Sequence, residues 1–581
     1  MTRLSAIRSY ILYNAWTRVL VPLLVLTLYL AVYSWLLNSF LSGESASVSS
    51  VFIERAWKLS AGLVAASSLM FLVLYRFSQG RNLVYRCDVD RPRIGDCWLI
   101  LLPLTPVVQY ILNNQDILSP TDSLFILVVF AVFSFLFIIA IPAALAAIAS
   151  ARTLMFLGLA FTFTMTNMAS LSAQRLWFEE GSLGMQLAVF GGVFLTGLLS
   201  YVRVGRRFTY ALLVLFFLAN GANQFFQEGQ EQPASIRADT NSMLIKWVGS
   251  KKPTITPNIY LLVYDAYVPN ETMLGYGIDN SPQEEYLENL GFTLYPHTYS
   301  VAGFTLGTMS RVLDVSRDFF GNARSAVSGR GVVQNLLQSF GYETYGIFWS
   351  DFFFQTDGSG YDVSYPLAKG PSLMLIKAIV MGEFRFDVEV DISPRDEFVE
   401  YKNRIFARPS DRPRFVYMHD NLPNHSQNSG RCRKHETKLF AKRLERANLE
   451  MKHNLDAIRK FDPAGLIIVA GDHGPYLTKN CSDTGGVYKR SAISRLDIQD
   501  RYGTFLAIRW PDGRPPRLGD ITVLQDVFVV VFAYLFDDPR LRDIRVKSST
   551  MRPAIISGAS VHEGRILGGI HHRRPLFLGR N

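Results

Sequence analysis

The chain has 581 residues, 49% hydrophobic and only 19% charged, with a mean hydropathy of +0.15. Soluble domains carry about 25% charged residues, so this balance fits an apolar part joined to an ordinary globular part and excludes a disordered, collagenous or small disulfide-stapled protein. The net charge of +10 follows from basic residues flanking membrane segments and requires no nucleic-acid partner, and four cysteines exclude a Cys-rich metal array.

The apolar runs all precede residue 226: 16–38, 57–75, 97–114, 123–150, 153–173, 183–202 and 209–226. A helical crossing needs about 20 mostly apolar residues, so these predict about seven spans. Pro103 and Pro106 interrupt the third run, and Pro142 predicts a kink or tilt in the fourth. The first run is too long for a signal-peptide core and lacks a small-x-small cleavage site, so it reads as an anchor. Arginine gathers on alternate flanks: Arg3, Arg8 and Arg18, then Arg76, Arg81, Arg86, Arg91 and Arg93, then Arg152, then Arg203, Arg206 and Arg207. The other flanks hold only Arg55, Lys58 and Arg175 among several acids. The positive-inside rule then places the N-terminus in the cytoplasm, and an odd number of spans places the rest of the chain outside. Residues 227–256 read as a linker with a short interfacial helix, Met243–Val248, and Lys246, Lys251 and Lys252 lie where lipid headgroups would be. An ordinary solvated linker is the other reading.

From 257 to 581 short β-branched and aromatic runs alternate with helical patterns. Strands are predicted at 258–264, 343–348, 414–418, 465–470 and 504–509, with a helix over 434–460. This alternation predicts an α/β domain with a mostly parallel sheet. The run 521–536 is apolar but short and carries Asp526, so it reads as a buried helix rather than an eighth span.

In open α/β sheets ligands bind beyond the carboxyl ends of the strands. Strand 258–264 ends in Asp265. Strand 414–418 leads into His419, Asp420 and, after a short loop, His425. Strand 465–470 ends in Gly471-Asp472-His473-Gly474. Carboxylates and imidazoles converging on one edge suit a divalent metal with mixed oxygen and nitrogen ligands. Thr305 opens a helical pattern, TLGTMSRVL, where free backbone N–H groups and the helix dipole favour a phosphate. A threonine hydroxyl needs a metal or a base to become a nucleophile, and Asp265, Asp472 and His473 would hold that metal. Thr308 is the rival nucleophile. Taken singly, Asp265 also reads as a structural acid, Thr305 as a helix cap, His419 as a core histidine and His425 as a surface residue.

These segments resemble the alkaline-phosphatase/sulfatase superfamily, and more narrowly its membrane-anchored branch with lipoteichoic-acid synthases and phosphoethanolamine or phosphoglycerol transferases. The resemblance rests on Asn258–Asp265, Gly303–Leu313 and GLIIVAGDHG at 465–474, and covers roughly residues 257–510. It implies a sulfatase-like fold and one divalent ion, zinc or manganese with magnesium also possible, on Asp265, Thr305, Asp472 and His473. It also implies a covalent phospho-intermediate on Thr305, with His419 or His425 on the substrate side. Two departures stand out. Thr305 is followed by Leu-Gly-Thr-Met rather than the sulfatase x-Pro-Ser-Arg, which argues against a sulfatase. The histidine that the phosphoethanolamine branch carries about a dozen residues after Asp-His-Gly is missing, so donor recognition differs.

Cys87 and Cys97 flank a predicted cytoplasmic loop and are expected to be reduced, which leaves Cys432 and Cys481 as the disulfide candidate. Three functional readings follow. The first is a phospho-headgroup transferase of the bacterial inner membrane, with its catalytic domain on the periplasmic or extracellular side, a membrane phospholipid as donor and an envelope glycan or lipid as acceptor. The second is a phosphodiesterase or phosphatase with the same intermediate. The third is a non-catalytic membrane scaffold with a degenerate sulfatase-like domain, against which the complete metal and nucleophile set argues. The topology has a direct test: a reporter fused after residue 581 is expected to be active only in an export-dependent form, and a cytoplasmic signal there would overturn the orientation.

Overall fold

In the computed structural model the described residues are 92–113, 118–146, scattered positions from 24 to 166, and most of 240–579, apart chiefly from stretches within 319–321, 350–358, 367–394, 427–434, 483–491, 514–520 and 552–557. They fall into two units, one before residue 236 and one after it.

In the first unit two helical stretches, Ile94–Leu112 and Pro120–Leu145, are long and apolar enough to cross a membrane. They coincide with the third and fourth predicted spans; the other five lie wholly or mostly outside the described residues. Ile94–Ile100 is a 3₁₀ turn that continues as the α-helix Leu101–Asn113, which absorbs Pro106. Ser119 caps the next helix, and Asp122 bonds back to the cap. This helix loosens into a π-turn at Leu136–Ala140, just ahead of Pro142, which relieves the proline's clash with the preceding turn.

The second unit holds a seven-stranded sheet in the order β2-β7-β6-β1-β5-β3-β4. The strands are β1 Ile259–Tyr264, β2 Thr293–Leu294, β3 Glu343–Phe348, β4 Val363–Tyr365, β5 Arg414–Asp420, β6 Leu466–Gly471 and β7 Leu506–Arg509. From β6 to β4 the pairings are parallel, whereas β7 runs antiparallel to both β6 and β2. The five predicted strands are present in a mostly parallel sheet, in which β7 is antiparallel; β5 runs two residues further than predicted, so that His419 and Asp420 belong to the strand. The short β2 and β4 carry too few residues for a periodic signal. A hairpin, β8 Ala559–His562 with β9 Arg565–Gly568, lies outside the main sheet.

Every residue of β1, β5 and β6 is buried, as expected of a sheet covered on both faces. On one face the Glu436–Phe461 helix packs Phe440, Leu444, Met451, Leu455 and Ile458 against Tyr260, Leu262, Val416 and Ile467; its apolar positions recur every three or four residues. On the other, Phe528 of the Val527–Phe536 helix meets Phe415 edge-on at 5.8 Å. This is the segment predicted to be a buried helix, and Tyr534 is its one residue that is not buried.

The Thr240–Val248 helix covers the predicted interfacial segment. Leu244 and Val248 are buried, and Trp247 meets Phe536 edge-on at 5.4 Å, while Met243, Ile245 and Lys246 are exposed.

Asp420 ends β5 in an ionic cluster. Arg395 grips both its oxygens at 2.7 and 2.8 Å, Lys402 lies 3.5 Å away, and both cations also reach Glu450. Asp420 and Lys402 are almost completely buried. Burial alone would raise the Asp420 carboxyl, but Lys402 and Arg395 hold it below the usual carboxylate range. Removing one member of such a cluster strands the others in a low-dielectric interior. Asp420→Ala is expected to destabilise the protein by about 3 kcal/mol or more, read as a lower thermal midpoint. Lys402→Met, which leaves Asp420 on Arg395, should cost clearly less.

Candidate functional site

Register builds the site. Tyr264 of β1 is level with Asp420 of β5 and with Gly471 of β6, so Asp265 and Asp472 leave adjacent strands at the same height. The β6 turn admits no other backbone: a Cβ at Gly471 would lie 1.8 Å from Tyr267 O, and one at Gly474 would lie 2.0 Å from Asp500 O. Ala266 adopts a left-handed backbone, φ 61°, and its N–H donates to Asp472 Oδ1 at 2.9 Å. A strained residue between two carboxylates is typical of a functional site.

Asp265, Asp472 and His473 each offer a ligand atom, all within 4.8 Å of one another. His473 Nε2 lies 3.4 Å from Asp265 Oδ1 and 3.4 Å from Asp472 Oδ2. The Nδ1–H of His473 donates to the Gly474 carbonyl at 2.8 Å, which leaves the Nε2 lone pair facing the carboxylates. Burial pushes this imidazole down to about 4 against the pull of Asp472, so it is neutral and ligand-ready. Burial would raise the Asp472 carboxyl, but the Ala266 amide donating to Oδ1 favours its ionised form.

A divalent ion fits these donors. Asp472 Oδ2 is buried and meets no hydrogen-bond donor within 3.5 Å among the described residues, although its partner oxygen accepts two, from Ala266 and His473 N–H. Two carboxylates and a neutral imidazole are also the hard and borderline donors that zinc and manganese take.

Thr305 is the first residue of the Thr305–Asp314 helix, and its hydroxyl lies 3.1 Å from His473 Nε2. Thr308 does not compete. It is fully buried, paired with Ser300 Oγ at 2.8 Å and donating to Ala302 O at 3.1 Å. Gln525 locks this turn from beneath: it accepts from Val301 N–H and donates to Ser300 Oγ, both at 3.2 Å.

The two remaining histidines occupy different places. His419 is buried in β5, with Nδ1 3.0 Å from Tyr417 OH and Nε2 3.8 Å from Asp472 Oδ2; burial lowers its basicity. His425 is half-buried on the loop beyond. It donates Nδ1–H to Ser426 O at 2.7 Å, and its ring lies 5.7 Å from that of His473. Asp420, counted among the strand-end acids, is instead committed to its own ionic cluster. Cys481 is disulfide-bonded. Cys432, its expected partner, lies outside the described residues, and Cys97 is a free thiol. Sequence reasoning missed Gln525 and Tyr476. The first lies within the apolar run 521–536, where only Asp526 was singled out among the polar residues, and the second follows the Asp-His-Gly-Pro turn with no periodic signal of its own.

No protein-family model matches the chain, and no curated protein matches it. Among solved structures it is similar to the C-terminal periplasmic domain of EcEptC from Escherichia coli in complex with Zn, at 13% identity and a TM-score of 0.32 over 50% of this chain and 84% of that one. A protein in the alkaline phosphatase superfamily from Vibrio parahaemolyticus gives 14% and 0.36 over 54% and 77%. The lipoteichoic acid synthase LtaP from Listeria monocytogenes gives 12% and 0.34 over 53% and 81%.

The metal centre has a simple test. Asp472→Ala or His473→Ala in the full-length protein is expected to weaken Zn²⁺ binding by more than about 100-fold, beyond what losing a merely supporting partner costs. Chelator competition would measure it, and near-native affinity in both variants would remove these residues from the ligand set.

Proposed function

We propose that the second unit transfers a phospho-headgroup, of the phosphoethanolamine or phosphoglycerol type, from a membrane phospholipid to an envelope glycan or lipid through a phospho-threonine at Thr305. One observation carries this reading: a helix-opening threonine hydroxyl lies 3.1 Å from a neutral imidazole that is itself flanked by two carboxylates. Asp265, Asp472, His473 and the Thr305 oxygen would hold one zinc or manganese ion.

When bound, such an ion favours the ionised threonine hydroxyl and offsets charge on the phosphoryl oxygens. The residues supply the rest. Free N–H groups at the start of the Thr305–Asp314 helix orient the phosphoryl oxygens. Thr305 Oγ1 forms the new P–O bond as the bond to the glycerol oxygen breaks. His425, with Nδ1–H already donated to Ser426 O, passes an Nε2 proton to the departing diacylglycerol oxygen. In the return step His425 takes a proton from the acceptor hydroxyl, which receives the headgroup phosphorus and frees Thr305. His419, buried against Asp472, supports that carboxylate instead of meeting substrate.

The experiment is incubation of the purified full-length protein with headgroup-labelled phospholipid and no acceptor. Label should be trapped on a peptide containing Thr305, Thr305→Ala should release no diacylglycerol, and Thr308→Ala should only slow the reaction. Label on Thr308, or continued release by Thr305→Ala, would overturn the nucleophile. Rapid release of free headgroup phosphate with acceptor present would convert the reading to a hydrolase.

A further inference from the structure

Tyr476 lies three residues beyond His473 and touches His473, His425, Arg501 and the Gly303 carbonyl. It is 3% exposed and holds a left-handed backbone, φ 55°, uncommon for a bulky residue. Its ring stacks on His473 with centroids 5.0 Å apart and planes 6° from parallel. The ring of His425 is 5.1 Å away, and the Arg501 guanidinium lies 3.9 Å over the Tyr476 ring. Its hydroxyl donates to the carbonyl of Gly303, two residues before Thr305. Ser426 fixes its backbone, donating Oγ–H to Tyr476 O at 2.7 Å and N–H to Pro475 O at 2.8 Å.

These contacts close a circuit. Thr305 Oγ1 meets His473 Nε2, His473 stacks on Tyr476, Tyr476 bonds Gly303, and Gly303 leads through Phe304 back to Thr305. The two strand-end acids are set by the sheet, whereas Thr305 comes from a separate segment. Within this circuit the phenol–carbonyl bond is the tie that joins the metal-ligand turn to the backbone just ahead of the nucleophile.

We propose that Tyr476 is a positioning residue that holds the Thr305 hydroxyl within reach of the metal centre. The proposal rests on the reading of Thr305 as nucleophile and metal ligand. A strained backbone at a residue with this connectivity is what such a role requires, because misplacing a reacting atom by about 1 Å can cost about 10²-fold in rate.

The test uses full-length protein loaded with Co²⁺ in place of the native metal, and three variants. Tyr476→Phe keeps the ring, and with it the His473 stack and the Arg501 contact, and removes only the hydroxyl. Tyr476→Leu removes both. Thr305→Ala reports the loss of the threonine oxygen. Tyr476→Phe is expected to bind Co²⁺ within about threefold of wild type, yet to show the visible absorption of Thr305→Ala, with labelling of Thr305 slowed by about 10²-fold. Tyr476→Leu should in addition weaken Co²⁺ binding. A merely structural tyrosine would lower the thermal midpoint without changing the cobalt spectrum. A wild-type spectrum and labelling rate in Tyr476→Phe would overturn this inference alone. Wild-type protein that binds no Co²⁺, or whose spectrum Thr305→Ala leaves unchanged, would overturn the metal reading and this inference with it.

Discussion

The common register of β6, β1 and β5 is the constraint on which the site depends. Tyr264 is level with Gly471 on one side and Asp420 on the other, so Asp265, Asp420 and Asp472 all lie at the carboxyl ends of three adjacent strands. A slip of one residue in any of these parallel pairings would send Asp265 or Asp472 to the opposite face. The register is held where it matters. Gly471 passes so close to Tyr267 that no side chain fits. Asp265 N–H donates to Asp420 O at 2.9 Å, and Asn424 N–H to Asp265 O at 3.0 Å, so the ladder continues past the strand ends.

Three carboxylates at one edge raise an electrostatic problem that the protein resolves in two ways. Asp420 is neutralised internally by Arg395 and Lys402, and its charge is committed to structure. Asp265 and Asp472 face a histidine that burial keeps neutral, which supplies donor atoms but no positive charge. Burying like charges together is costly without a counter-charge. The difference between these neighbouring environments separates the structural acid from the two that suit a cation.

Much of this was legible in the sequence. Five short apolar runs marked the strands, and their final residues named Asp265, Asp472 and His473, because a strand's carboxyl end is both a pattern boundary and a place where ligands bind. Thr305 was legible as a helix start. What was hidden depends on long-range contacts. Arg395 and Lys402 lie far from Asp420 along the chain, in a helix whose pattern says nothing of its partner. His419 and His425 both looked suitable, and their burial differs: one is closed within β5, the other is half-buried on the loop beyond. Thr308 and Thr305 share a helical turn and differ only in which side faces Ser300 and Gln525. The reversed direction of β7 was also unreadable, since period-two alternation is the same in both directions.

In the proposed reaction, transfer and hydrolysis would share the same residues up to phospho-Thr305 and part only at the second step. The outcome then depends on which oxygen approaches phosphorus, and the buried ligands cannot make that choice. It falls to residues at the rim. Phe304, 36% exposed and immediately before Thr305, lies across Gly307, where a Cβ would come within 2.5 Å of its ring. In the proposed reaction an aromatic face there would offer an apolar surface to the carbon skeleton of donor or acceptor. His425, half-buried, supplies the proton in the proposed reaction to whichever oxygen leaves. Under the proposed reaction the chemistry would belong to the sheet edge, and the choice of acceptor to the rim around the start of the Thr305 helix.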